Sequence, residues 1–159
     1  MSRVQLALNV SNIDEAVAFY SKLFNTEVNK RKPGYANFAI TDPPLKLVLI
    51  EGDDGGTLNH LGVEVDTADE VTEAESRLRS DGVATTGVDD TTCCYALKTE
   101  TWVSDPDGAP WEWYVKTGDA DQMANSVRND GDTAQCCAPV AIGASLVGGA
   151  EAETSGSCC

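Results

Sequence analysis

Residues 3–10, Arg-Val-Gln-Leu-Ala-Leu-Asn-Val, put Val4, Leu6, Leu8 and Val10 on one side and more polar residues on the other. That period of two predicts a half-buried strand. Ser11 and Asn12 then offer capping oxygens, and Asp14 and Glu15 follow where the helix dipole favours acids, so a helix is predicted over 12–24. Its Val17, Phe19, Tyr20, Leu23 and Phe24 are expected to face a core. Short extended runs near 26–29, 35–40 and 45–51 come next, separated by Lys-Pro-Gly and Asp-Pro-Pro turns. The order then repeats: a strand over 58–65, a helix over 68–81, and extended runs near 83–88, 93–103 and 111–116, with Asp105-Pro-Asp-Gly before the last.

The repetition is also visible residue by residue. A shift of 55 positions lays Gln5–Leu23 over His60–Leu78 without a gap, and Leu6/Leu61, Val10/Val65, Asp14/Asp69, Glu15/Glu70, Ser21/Ser76 and Leu23/Leu78 are identical. The predicted fold is therefore α+β: two tandem βαβββ modules, about 1–54 and 55–117, forming one domain over 1–117. Two such modules set side by side enclose a cleft, which is where a ligand site is expected.

Composition changes the picture beyond residue 117. Residues 118–159 hold six acidic residues, one basic residue (Arg128) and no aromatic one, with much Gly, Ala and Ser, so an acidic, Cys-containing flexible tail is expected, apart from a helical turn near 121–127. The whole chain of 159 residues carries 26 acidic and 11 basic groups, a formal charge of -15, which disfavours nucleic acid and anionic lipid as partners. No apolar run approaches the roughly 18 residues of a membrane span, and the amino terminus shows no secretory h-region, so a cytoplasmic protein is expected.

Six cysteines fall in adjacent pairs, Cys93-Cys94, Cys136-Cys137 and Cys158-Cys159. Neighbouring Cα atoms lie about 3.8 Å apart, closer than the roughly 4.4–6.8 Å of an unstrained disulfide, so reduced thiols are expected, serving as soft ligands or as packing. The repeat makes Gln5 and His60, the chain's one histidine, equivalent positions on first strands. On the matching last strands, Glu112 lies between Trp111 and Trp113, where a carboxylate is costly unless it is paired or binds a metal. Aligning those strands puts Lys46 opposite Glu112, so three protein donors, Gln5, His60 and Glu112, are expected at a site with open positions. Trp102, Trp111 and Trp113 suit either a pocket wall or ordinary core. Tyr35, Asn37 and Tyr95 are candidates for the cleft, and Arg3 and Lys30-Arg31-Lys32 are expected on the solvated surface.

With its βαβββ repeats and Asp105-Pro-Asp-Gly ahead of Trp111-Glu112, the chain resembles the vicinal oxygen chelate superfamily of glyoxalases, antibiotic-resistance proteins and extradiol dioxygenases. Its segments Ser2–Val10, Lys32–Ile40, Pro44–Glu51, Asn59–Val65 and Thr91–Ala96 resemble more narrowly the organoarsenical carbon–arsenic lyases and their cadmium-induced relatives, over about 1–117. The resemblance implies an iron(II) site of Gln5, His60 and Glu112, with Cys93 and Cys94 binding the arsenic of a methyl or aryl trivalent organoarsenical. Dioxygen would be the second substrate and arsenite a product, in a monomer or homodimer. Two alternatives stay open: a cadmium- or arsenite-binding protein without turnover, and a glyoxalase-like isomerase, which the Lys46 position disfavours.

Overall fold

A computed structural model describes residues 2–127; the expected tail over 128–159, with Cys136, Cys137, Cys158 and Cys159, lies outside the described residues. The first module is β1 (Arg3–Val10), α1 (Ile13–Leu23), β2 (Lys30–Lys32), β3 (Tyr35–Ile40) and β4 (Leu45–Glu51). The second is β5 (Leu58–Glu64), α2 (Ala68–Ser80), β6 (Asp89–Cys93), β7 (Ala96–Ser104) and β8 (Pro110–Asp119), after which β9 (Ser126–Val127) adds an edge. All strands join one sheet in the order β2-β3-β4-β1-β5-β8-β7-β6-β9. The first strands of the two modules thus lie side by side and antiparallel, each flanked by the parallel last strand of its own module. The sheet curls far enough to bring its outer parts together. Lys30 Nζ donates to the Tyr95 carbonyl at 2.9 Å, and the Tyr35 and Tyr95 rings stand 5.4 Å apart.

The two faces of this sheet differ in chemistry, because side chains alternate along each strand. Leu6 and Leu8 of β1, Ala36, Phe38 and Ile40 of β3, and Leu47 and Leu49 of β4 pack beneath Ile13, Val17, Tyr20 and Phe24 of α1. Each large side chain buried there contributes roughly 1.5–3 kcal/mol. Asn12 caps α1 by accepting from the Asp14 and Glu15 N–H groups, and Thr67 and Glu70 close a capping box on α2. Phe19 and Leu23, expected in the core, are each 58% exposed. At about 100° per residue they fall beside the stripe that Ile13, Val17, Tyr20 and Phe24 turn to the sheet. The opposite, concave face is polar, and carries Gln5, Lys46, His60, Glu64, Lys98, Glu100, Glu112 and Tyr114.

Four local expectations are corrected. The run at 26–29 is not a strand, since Asn25 takes a left-handed turn and Thr26 N–H bonds back to Ser21, so helix closure uses those residues and β2 begins at Lys30. Residues 83–88 form a loop between Gly82 and Gly87, both at positive φ, with Val83 N–H closing α2 onto Leu78. The stretch 93–103 starts with a tight turn at Cys94 and Tyr95, φ 55° and 61°, which separates β6 from β7. Instead of a break near 117 and a helical turn at 121–127, β8 continues to Asp119. The chain then returns so that Gln122 and Met123 carbonyls accept from the Tyr95 and Cys94 N–H groups. Met123 packs against the cluster of Ala7, Tyr35 and Val48, an apolar anchor hidden in a polar segment.

Candidate metal centre and thiol cavity

Gln5, His60 and Glu112 meet because three neighbouring strands bring them to one level. Gln5 of β1 is paired with Gly62 of β5, and Gly62 with Glu112 of β8. A Cβ at Gly62 would stand 3.4 Å from Gln5 Nε2 and 3.1 Å from the Glu112 carbonyl, so the missing side chain leaves the space into which the amide reaches. Gln5 Nε2 lies 2.9 Å from His60 Nε2 and 3.0 Å from Glu112 Oε2, and the last two atoms are 3.6 Å apart. All three residues are buried.

Donors about 2.1 Å from one ion and at right angles stand about 3 Å apart, so the observed separations fit a single divalent ion. Among the described residues no group of three His, Cys, Asp or Glu side chains is placed to hold a metal, which leaves the Gln5 amide as the third donor. Its Oε1 accepts from the Tyr114 hydroxyl at 2.5 Å, and a half-turn of the amide exchanges oxygen for nitrogen at the centre. The residues therefore fit the iron(II) that the resemblance implies. The strand registers also correct the alignment of last strands. Leu6 pairs with Leu47 and Leu61 with Trp111, so the first-module counterpart of Glu112 is Val48, not Lys46. Neither residue supplies a fourth donor.

A surrounding polar shell sets charge and orientation. His60 Nδ1 lies 2.7 Å from Asn59 Oδ1, and Asn59 Nδ2 in turn donates to Asn9 Oδ1 at 2.8 Å. Donation by Nδ1–H to that amide oxygen leaves the Nε2 lone pair facing Gln5 and Glu112. Burial by itself would raise the Glu112 carboxyl, but the Lys98 ammonium bonded to Oε1, helped by Glu100, holds it well below the usual range. Burial would likewise lower Lys98, yet Glu112 and Glu100 keep it charged. Glu100 is pushed up to about 8 by burial and then by the Glu112 charge, so it is mostly protonated at neutral pH. Lys46 donates to the Tyr114 hydroxyl at 2.8 Å and to Glu64 at 3.1 Å.

Beside the centre lies a cavity of about 100 Å3, whose wall includes Gln5, His60 and Cys94. The left-handed turn brings Cys94 to that wall, while Cys93, at the end of β6, is buried. Their sulfurs are 2.9 Å apart, well beyond the roughly 2.05 Å of a disulfide bond, and close enough to share one soft ion. Tyr35 and Asn37 line the same cavity, as the sequence suggested, and the Tyr95 ring lies tilted against Tyr35. Of the tryptophans, Trp102 approaches His60, ring centroids 5.3 Å apart, whereas Trp113 packs in the cluster of Val65, Val71 and Val115. Arg3 and Lys30 are not solvated surface but cavity wall. Sequence reasoning missed Lys98, Glu100, Tyr114 and Asn59. The only signal was the alternation of β7 and β8, which puts Lys98 and Glu100 on the face of Glu112 and Tyr114.

Residues 3–113 match the Glyoxalase/Bleomycin resistance protein/Dioxygenase superfamily. The chain is 52% identical to a trivalent organoarsenical cleaving enzyme from Thermomonospora curvata, over 87% of this chain and 90% of that one. It is 51% identical to the cadmium-induced protein CadI of Mycobacterium tuberculosis, over 91% and 99%. Among solved structures, an extradiol ring-cleaving dioxygenase from B. fuscum shares the fold at 19% identity and a TM-score of 0.55, over 76% of this chain and 34% of that one. A superfamily match spanning both βαβββ modules, with half-identity to two relatives along nearly their whole lengths, makes this chain a member of the Glyoxalase/Bleomycin resistance protein/Dioxygenase superfamily and, within it, of the family of trivalent organoarsenical cleaving enzymes and cadmium-induced proteins.

Proposed function

We propose that the protein cleaves the carbon–arsenic bond of trivalent organoarsenicals, using dioxygen and an iron(II) ion held by Gln5, His60 and Glu112, and releases arsenite and the organic group in oxidised form. The observation that carries this reading is one cavity bordered both by Gln5 and His60 and by Cys94. When bound, iron(II) supplies activation of dioxygen. The chain's own residues do the rest. Cys93 and Cys94 fix the arsenic, so that its carbon substituent projects into the cavity and the reaction gains proximity. Lys98 holds one oxygen of Glu112 and leaves the other toward Gln5 and His60. The buried ring of Tyr35 and the Tyr95 ring beside it exclude water from the thiol side.

The deciding measurement follows oxygen uptake and arsenite release together, with ferrous ion supplied. We expect the two to run in step, and both to be lost in His60→Ala and Glu112→Ala, which also lose metal. Full metal occupancy with unchanged turnover in both variants would refute the site. Serine at Cys93 and Cys94 exchanges soft sulfur for hard oxygen at equal size, so iron binding is expected to persist while arsenical cleavage is lost. Cleavage at the parent rate by the double variant would show that the clamp lies elsewhere. A second reading, metalloid or cadmium capture without turnover, is favoured by the closeness of the two sulfurs. It predicts stoichiometric binding with no arsenite released.

A further inference from the structure

The charge of the cavity is opposite to that of the chain. Of 11 basic residues in a protein with 26 acidic ones, five line this single cavity: Arg3, Lys30, Lys46, Lys98 and Lys116. Glu64 is the one acidic residue in the same wall, and Lys98 is paired with Glu112 outside that wall. Glu64 serves two of the cations at once, bonded to Arg3 and 3.1 Å from Lys46. At the outer end Lys30 and Lys116 likewise share a single carboxylate, Asp119, whose side chain is 68% exposed. Neutral donors add to the polarity. Asn37 Nδ2 donates to the Tyr35 hydroxyl at 2.9 Å, so that hydroxyl keeps its own proton to give, and burial pushes its pKa up to about 12.

Cations gathered around a partly enclosed space cost desolvation and mutual repulsion, and an anion placed among them relieves both. A partly enclosed space of about 100 Å3 has room for an organic group of several heavy atoms. The arsenic itself contributes no anion here, since the thiols hold it at the Cys94 wall. An anionic organic group would meet the positive charge that remains where two cations share one carboxylate.

From this charge pattern we propose that the cavity selects trivalent arsenicals whose organic group is small and carries a carboxylate, which is received by Lys116 and Lys30 beside the arsenic. The proposal rests on the reading of Cys93 and Cys94 as the arsenic clamp, and it names the substrate class of that site.

Two measurements test it, one of them without arsenic. Acetate is titrated into the metal-free full-length protein and followed by amide NMR shifts. Saturable shifts at Tyr35, Cys94 and Lys116 are expected, weakened about tenfold in Lys116→Glu and restored in Lys116→Arg. Absence of saturable shifts there, or equal binding by Lys116→Glu, would overturn the anion site. In the second measurement, kcat/KM is compared for carboxymethyl, ethyl and 2-aminoethyl trivalent arsenicals. The carboxymethyl compound is expected to exceed the ethyl by about tenfold or more, with the 2-aminoethyl last, and Lys116→Glu should bring the two charged compounds level or reverse them. Equal values in the parent protein would show that the cations serve only the buried carboxylates and thiols. If no arsenical is cleaved while acetate still binds as described, the proposed reaction fails and the anion site stands.

Discussion

Glu100 and Glu112 stand on neighbouring strands, share Lys98, and are driven apart in proton affinity by that arrangement. One lysine satisfies one carboxylate, so the second carries the cost of burial and keeps its proton. Glu100 is therefore a source of pH dependence. Its folded pKa of about 8 lies above the ordinary carboxyl value of about 4.3, so the folded state binds the extra proton and its contribution to stability falls as pH rises from about 4.3 to 8. Glu100→Gln mimics the protonated form. In metal-free protein it should unfold at the same urea concentration as the parent near pH 4, and at a higher one at pH 8, by up to a few kcal/mol in free energy. Equal midpoints at pH 8 would show that Glu100 is ionised without penalty.

At the scale of single elements, β5 does the assembling. It lies between the strands of Gln5 and Glu112, presents His60 itself, and has glycine at the one position between them. Its φ at Gly62 is not in the left-handed region, so alanine is allowed by the backbone, and only the contacts at 3.1 and 3.4 Å resist it. Gly62→Ala is expected to lower stability by about 1–3 kcal/mol without unfolding the protein, and to weaken metal binding by about tenfold, because the Gln5 amide is displaced from Glu112. Unchanged affinity in a direct metal titration would show that the cradle has slack. The β6–β7 hairpin carries the thiols in the same economical way. Its turn needs positive φ at Cys94 and Tyr95, neither a glycine, and the carbonyls of Gln122 and Met123 hold that conformation by bonding to both N–H groups.

The whole molecule ties these parts together through contacts between distant segments. Lys30 reaches across to Tyr95 and Asp119, and residues 120–127 fold back onto the cysteine turn and β6. A chain ending at Thr117 should then bind a trivalent arsenical more weakly and unfold more readily, since it loses the bonds to Cys94 and Tyr95 and the Met123 anchor. A chain ending at Val127 should turn over saturating substrate like the full protein, because the residues it lacks include no aromatic side chain with which to dock. Parent-like arsenical binding by the shorter chain would mean that the turn holds its shape unaided. The described residues include no helix long and apolar enough to cross a membrane, in keeping with the polar composition.

The features legible in the chain were local or periodic. Alternation placed β1, β3, β4 and β5 within a residue or two, the 55-residue repeat set the module order, and the equivalence of Gln5 with His60 pointed to the centre. Those features depend on side-chain period and capping, which act over a few residues and are written in the chain. The remaining features came from strand register and the curl of the sheet. Strand register made Val48 the counterpart of Glu112, and placed Lys98 and Glu100 beside it, because a shift of two residues along a strand keeps the face and changes the partner. The curl of the sheet turned Arg3 and Lys30 from apparent surface into cavity wall, and a single Met123 carried residues 120–127 into the fold. Charge and burial at the site depend on which strands become neighbours across more than 50 residues of chain, and no local pattern records that pairing.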